Sequence, residues 1–147
     1  MKHIWSIICE KSSIDFETNS LSLFNNIEEI NLTIDKTKAS RNEKIVIPAN
    51  FQIINFWVTE SPEKENSTEI KAEFIDPEGE NLNKFEQSLK MKKGIKRMRN
   101  RANIQGIPVT KNGRYYYRIS QKKNEKFKVV AELPLDINVS YKILEKK

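Results

Sequence analysis

Apolar residues recur at every second position near the C-terminus: Phe127, Val129, Ala131, Leu133, Leu135, Ile137, Val139, Tyr141 and Ile143. Successive side chains of a β-strand point to opposite faces, so this run predicts one long strand with an inward apolar face, carried through a bend at Pro134. Upstream, Tyr115, Tyr117 and Ile119 alternate in the same way with Arg114, Tyr116 and Arg118. The polar segment Lys122-Lys123-Asn124-Glu125 between the two runs suits a turn, and residues 113–133 read as a β-hairpin.

Turn chemistry extends this reading. Asp76-Pro77-Glu78-Gly79 puts Asp, Pro and Gly where a type I turn favours them, between strand-like runs at 69–75 and 82–91. Asn112-Gly113 is the pair preferred by a type I′ hairpin turn. Near the N-terminus, residues 4–14 and 20–32 flank Asp15-Phe16-Glu17-Thr18-Asn19 and read as a first hairpin, and Phe51 to Thr59 is a further strand rich in aromatic and β-branched residues. Two polar stretches, 33–44 and 60–68, read as loops inside one domain. A helix has one rival segment, 81–103, where Leu82, Phe85 and Leu89 also fit helical spacing; Gly94 interrupts it, and the segment is assigned as strand. Seven to nine short strands with frequent turns predict an all-β fold, a two-layer antiparallel β-sandwich of the immunoglobulin-like or C2-like kind, spanning residues 1–147 as a single domain.

Composition narrows the setting. A chain of 147 residues buries roughly 70% of its unfolded surface, enough for one core. The single cysteine, Cys9, forbids an internal disulfide and points to a reducing compartment. The apolar run from Ile4 to Cys9 ends at Glu10 and Lys11, short of a signal peptide, and no stretch reaches the roughly 18 apolar residues of a membrane span; the cytoplasm is the expected location. The net charge of +6 conceals a polarity: residues 1–89 hold 9 Lys/Arg against 16 Asp/Glu, whereas residues 90–147 hold 17 against 4. Either the basic half meets an anionic partner, or acidic and basic strands lie side by side in one sheet.

Trp5-Ser6-Ile7-Ile8-Cys9-Glu10, followed by the stretch from Thr18-Asn19-Ser20 to Ile30, resembles the opening of a family of small bacterial proteins classed as a domain of unknown function. Asp76-Pro77-Glu78-Gly79, Gly113-Arg114-Tyr115-Tyr116-Tyr117 and Val130-Ala131-Glu132-Leu133-Pro134-Leu135 resemble its later turn and strands. The resemblance implies a compact β-sandwich and transfers no functional residue.

Catalytic sets are sparse. His3 and Cys9 are the only residues of their kinds, and six strand positions separate them by about 20 Å, too far for a thiol and its base. One Cys and one His do not make a tetrahedral zinc site. Adjacent Glu28 and Glu29 on a strand face opposite ways, so they do not form an acid–base pair on one substrate. Asp76, Glu78 and Glu80 lack the spacing of a helix-loop-helix calcium site and read as a solvated turn. The four glycines are too scattered for a phosphate loop. No enzymatic activity, metal or cofactor is expected.

Residues 90–101 carry seven basic residues in twelve and no acid. In an extended chain Arg97, Arg99 and Arg101 share one face and Met98, Ala102 and Ile104 the other, so a row of guanidinium groups projects from a strand whose back packs inward. The candidate partner-binding residues are Lys92, Lys93, Lys96, Arg97, Arg99 and Arg101. Three readings stand: a charged edge against aggregation, an adaptor surface for an acidic protein, and a sequence-nonspecific nucleic-acid surface to which Tyr115, Tyr116 and Tyr117 add stacking faces. The charged edge is the plainest reading of the row, and of the two functional readings the adaptor leads; the sequence leaves the oligomeric state open.

Overall fold

A computed structural model describes residues 1–36 and 45–143. Nine strands are present among them: β1 (Lys2–Ile14), β2 (Leu21–Asn26), β3 (Glu29–Asp35), β4 (Ile45–Val58), β5 (Asn66–Ile75), β6 (Asn81–Met91), β7 (Arg97–Val109), β8 (Gly113–Lys123) and β9 (Lys126–Lys142). They form two sheets, one in the order β2-β1-β4-β7 and one in the order β3-β9-β8-β5-β6. The fold is an all-β sandwich, as the alternation predicts, and residues 81–103 are strand, turn and strand rather than helix. Every pairing is antiparallel except β3 with β9, which is parallel.

That exception corrects the first hairpin. Residues 20–32 are not one strand, because the chain leaves β2 at Asn25, whose φ is +53°, and crosses to the other sheet through Ile27 and Glu28. Ile27 N donates to Ile8 O, and Asp136 N donates to Glu28 O, each at 2.9 Å, so the crossing is stitched to both sheets. Of the two expected loops, 33–35 belong to β3 and 66–68 to β5, and residues 37–44 lie outside the described residues.

The core lies between the sheets. Ile8, Ile47, Phe51, Ile53, Ile107 and Val109 face Ala72, Phe74, Tyr115, Tyr117, Ile119, Leu135, Ile137 and Val139 across it. Phe74 stacks on Tyr115 and Tyr117 at 5.2 and 4.7 Å, and Phe51 meets Tyr117 edge-on at 5.9 Å, tying the two layers together. Trp57, Ile70, Leu89 and Met91 form a second cluster, with Met98 packed against it.

The C-terminal alternation holds from Ala131 to Val139 and then fails at both ends. A bulge pairs Ile119 with Ala131 but Ser120 with Val129, so Val130 is the extra residue and turns inward while Val129 is exposed. Below it Phe127 lies outside, with Lys71 Nζ 4.9 Å above its ring. Tyr141 and Ile143 run past the core and are exposed. β3 joins β9 only from Asp136 onward, so Pro134, which has no N–H, sits where that edge is open.

Asn112-Gly113 is not a hairpin turn, because β7 and β8 lie in different sheets. Asn112 lacks the positive φ that a type I′ turn requires; instead its side-chain amide accepts from Val139 N at 2.8 Å and donates to Val139 O at 3.2 Å, continuing the β8–β9 ladder beyond Gly113↔Ile137. The chain is locked at this crossing by the Tyr115 hydroxyl, which donates to Lys111 O at 2.6 Å and accepts from Thr110 N and Lys111 N at 3.0 and 3.1 Å, the geometry of a tyrosine corner. The two-residue turn with positive φ at both positions is Asn124-Glu125, at +50° and +65°, closing the expected β8–β9 hairpin.

The Asp76 turn forms as expected, but it is not solvated. Asp76 is 3% exposed; its Oδ1 accepts from Glu78 N and Glu80 N and its Oδ2 accepts from Thr110 Oγ1. Burial pushes this carboxyl up, but the hydrogen bonds from Glu80, Glu78 and Thr110, with Lys111 nearby, outweigh it and hold the group below the usual carboxylate range.

Candidate partner-binding face

β7 is an edge strand, paired on one side with β4 from Arg97↔Val58 to Ile45↔Val109. Its inward positions are Met98, Asn100, Ala102 and Ile104: Met98 packs near Trp57, Asn100 Oδ1 accepts from Trp57 Nε1 at 2.7 Å, and Ile104 packs against the main core. Arg97, Arg99 and Arg101 therefore point away from the core, as the alternation predicts. Lys92, Lys93 and Lys96 are exposed on the turn from β6 to β7. That turn is anchored by backbone bonds from Gly94 N to Pro62 O at 2.7 Å, Ile95 N to Lys92 O at 3.1 Å and Thr59 N to Lys96 O at 3.0 Å. Gly94, with φ at +89°, permits the reversal. The three lysines thus lie on the turn that leads directly into the strand carrying the three arginines.

The arginine row is not a bare rim. The ladder of β1 with β4 ends at Cys9↔Gln52, and beyond it Ser12 Oγ donates to Gln52 Oε1 at 2.7 Å. Arg101 Nη1 donates to Ser12 Oγ at 3.1 Å and Arg99 Nη2 to Asn19 O at 3.2 Å. In the ladders Arg99 is level with Phe56 and Trp5, so a straight β1 would carry Asn19 tens of ångströms away; the far half of the β1–β2 hairpin folds back over this face. Cys9 and Ile54, which point outward from the sheet, are fully covered in consequence. Burial pushes the Cys9 thiol up, partly opposed by the charge of Arg101.

Ion pairs form away from this face, although Lys84, Lys123, Lys126 and Lys128 of the other sheet form none among the described residues either. In the other sheet and its turns, Arg114 meets Asp136 at 2.8 Å, Arg118 meets Glu132 at 2.9 Å, Lys122 meets Glu69 at 3.0 Å and Lys111 meets Glu78 at 2.7 Å. Lys90, which opens the basic segment, meets Glu65 at 3.3 Å. Lys92, Lys93, Lys96, Arg97, Arg99 and Arg101 form no ion pair among the described residues. The reason lies in the neighbouring strand: β4, IVIPANFQIINFWV, has no acidic side chain to offer. Interleaving of acidic and basic strands accounts for Arg114, Arg118 and Lys122 but not for β7.

The expected tyrosine platform is not beside the arginines. Tyr115 and Tyr117 are buried in the core, where burial pushes the Tyr117 phenol up, and β8 lies in the opposite sheet. The aromatic pair that does neighbour the row is Trp5 and Phe56, with centroids 5.5 Å apart and Phe56 paired with Arg99. Only the cross-strand register, invisible to local spacing, brings them there. Next to them an open pocket of about 550 Å³ is lined by Asn19, Phe56, Val58, Gly94, Ile95, Lys96 and Arg97.

The histidine finds a serine rather than the cysteine. His3 is half-buried, edge-on to Trp57 at 5.1 Å, with Nε2 2.7 Å from Ser6 Oγ, and Ser6 Oγ donates to Asn55 Oδ1 at 2.5 Å. A hydroxyl has one hydrogen; given to Asn55, it leaves His3 Nε2 as donor, so the imidazole is not placed to draw a proton from Ser6. Burial holds the imidazole below its ordinary value, partly opposed by a hydrogen bond to the Trp5 backbone. The network satisfies buried Asn55. Glu28 lies in the crossing before β3 and Glu29 accepts from Asn138 at 3.1 Å, so they serve different elements. Among the described residues no three His, Cys, Asp or Glu side chains converge as a metal site, and no helix is long and apolar enough to cross a membrane. No protein-family model and no curated protein matches the chain.

Proposed function

We propose that the chain is a non-enzymatic adaptor module that holds an acidic protein surface against β7 and the β6–β7 turn. One observation carries the reading: six cations within ten consecutive residues of β7 and the turn before it form no ion pair among the described residues, beside a strand that carries no acid. An acidic partner would supply the missing counter-charges through charge-assisted hydrogen bonds, and Arg97, Arg99 and Arg101, two residues apart along a strand, recur about every 7 Å. The open edge of β7 adds main-chain groups to which an extended segment can pair. Cys9, buried and without a disulfide, suits a reducing compartment such as the cytoplasm. Membership of the family that the N-terminal pattern resembles is consistent with this fold and supplies no further residue.

The test is capture from a lysate of the native host by immobilised protein, with nuclease treatment and identification of what is retained. Wild type is expected to retain an acidic protein in a nuclease-resistant manner, and Arg97→Glu, Arg99→Glu and Arg101→Glu together to release it with little change in melting temperature. Retention unaltered by the charge reversal would reject the assignment.

A second reading, sequence-nonspecific binding of single-stranded nucleic acid, is favoured by the Trp5–Phe56 pair beside the arginines. It predicts an electrophoretic shift of oligonucleotides at low salt that collapses as salt rises. No shift at micromolar protein would end it.

A further inference from the structure

The tip of the β1–β2 hairpin displays an aromatic ring that the fold does not use. Phe16 is 100% exposed, between Asp15 and Glu17. The loop that carries it is firmly built: Asp15 N donates to Ser20 O and Asn19 N to Asp15 O, each at 2.9 Å, and Asp15 Oδ1 accepts from Glu17 N, Thr18 N and Thr18 Oγ1 at 3.0, 2.7 and 2.9 Å. Asn19, at φ +56°, closes the turn. Phe16 is therefore held outward by a preorganised loop, and docking it orders little that is not already ordered.

Three residues further on, Asn19 lines the open pocket beside the arginine row. Its apolar walls are Phe56, Val58 and Ile95, the last 46% exposed, and Lys96 and Arg97 stand at it without an ion pair among the described residues. An apolar socket bordered by two cations thus sits next to an aromatic knob bordered by two acids. The ring does not enter its own socket, since it is fully exposed.

We propose that two copies of the chain pair by exchanging knobs: Phe16 of each seats among Phe56, Val58 and Ile95 of the other, with Glu17 against Lys96 and Arg97. Knob and socket share one face because Asn19 belongs to both, and a patch that carries both halves of a complementary contact is self-complementary about a two-fold axis. The pair rests on the reading of the basic face as a binding surface and occupies its Arg97 end. Arg99, Arg101, Lys92 and Lys93 stay available to an acidic partner.

Sedimentation equilibrium of the full chain over a wide protein concentration range tests this. Wild type is expected to be a reversible dimer, weakened at least about tenfold by Phe16→Ala, whose site is fully exposed and not needed for folding. Ile95→Glu, which spoils the socket, is expected to weaken it similarly. A mixture of Phe16→Ala and Ile95→Glu should recover hetero-dimer, since one intact knob then meets one intact socket, and Glu17→Lys combined with Arg97→Glu should dimerise better than either alone. A monomer at every concentration, or a dimer indifferent to Phe16 and Ile95, would overturn the proposal. Lys92→Glu with Lys93→Glu leaves knob and socket intact, so loss of partner capture in a preserved dimer, or loss of the dimer with preserved capture, separates failure of one reading from failure of the other.

Discussion

Replacing Tyr115 by Phe removes one oxygen from a fully buried ring and leaves the stacking on Phe74 in place. The hydroxyl makes three backbone hydrogen bonds where the chain crosses from β7 to β8: one donated to Lys111 O and two accepted from Thr110 N and Lys111 N. Each is worth about 0.5–1.5 kcal/mol net, and because Thr110 and Lys111 are exposed, water recovers part of the loss, giving about 2 kcal/mol in all. At about 2.1 cal/mol/K per residue, the unfolding entropy of a 147-residue chain is roughly 0.3 kcal/mol/K, so the melting temperature should fall by about 6 °C. Differential scanning calorimetry, with Tyr141→Phe as an exposed control, measures this directly. A loss no larger than that of the control would refute the claim that this hydroxyl locks the crossing between the sheets.

Three other outcomes follow from local geometry. Asp76 is held below the usual carboxylate range when folded, so its contribution is complete above about pH 4 and is lost as pH falls through the lower folded value; the stability difference between wild type and Asp76→Asn in urea should shrink below pH 4, and a pH-independent difference would contradict the assignment. Gly113→Ala should destabilise by about 1–3 kcal/mol, read as a lower denaturation midpoint, because φ is +147° and the new Cβ would lie 2.9 Å from Pro77 Cγ. Glu125→Gly should instead stabilise by about 1 kcal/mol, since Glu125 sits at φ +65° and its contact with Lys122, at 3.8 Å, is loose; an unchanged or lower midpoint would count against the strained turn.

Local pattern revealed the strands because burial of one sheet face imposes a period of two, and it revealed the Asp76 turn through its Asp, Pro and Gly and the Asn124 turn through its polar run, although Glu125 is strained there. It misassigned Asn112-Gly113 because a turn dipeptide reports local conformation, not which sheet receives the next strand. The same ambiguity hid the crossing at Ile27 and Glu28, which Asn25-Asn26 precedes with no Gly or Pro to mark a break. The bulge at Val130 was concealed because apolar residues continue at every second position through it, from Phe127 and Val129 to Ala131. In the basic face, the arginine row and its inward-facing partners were legible from parity. Its unpaired state was not, since it depends on an acid-free β4 lying next to β7, and neither was the Trp5–Phe56 neighbourhood, which joins positions far apart in the chain.

Hydrogen–deuterium exchange of the chain, alone and with the acidic protein it retains, tests the central claim most directly. The account predicts slowed exchange in the β6–β7 turn and along the outer edge of β7 at Arg97 to Arg101, with the β3 edge unaffected. Protection confined to the β3 edge, or to the paired charges of β8 and β9, would contradict it.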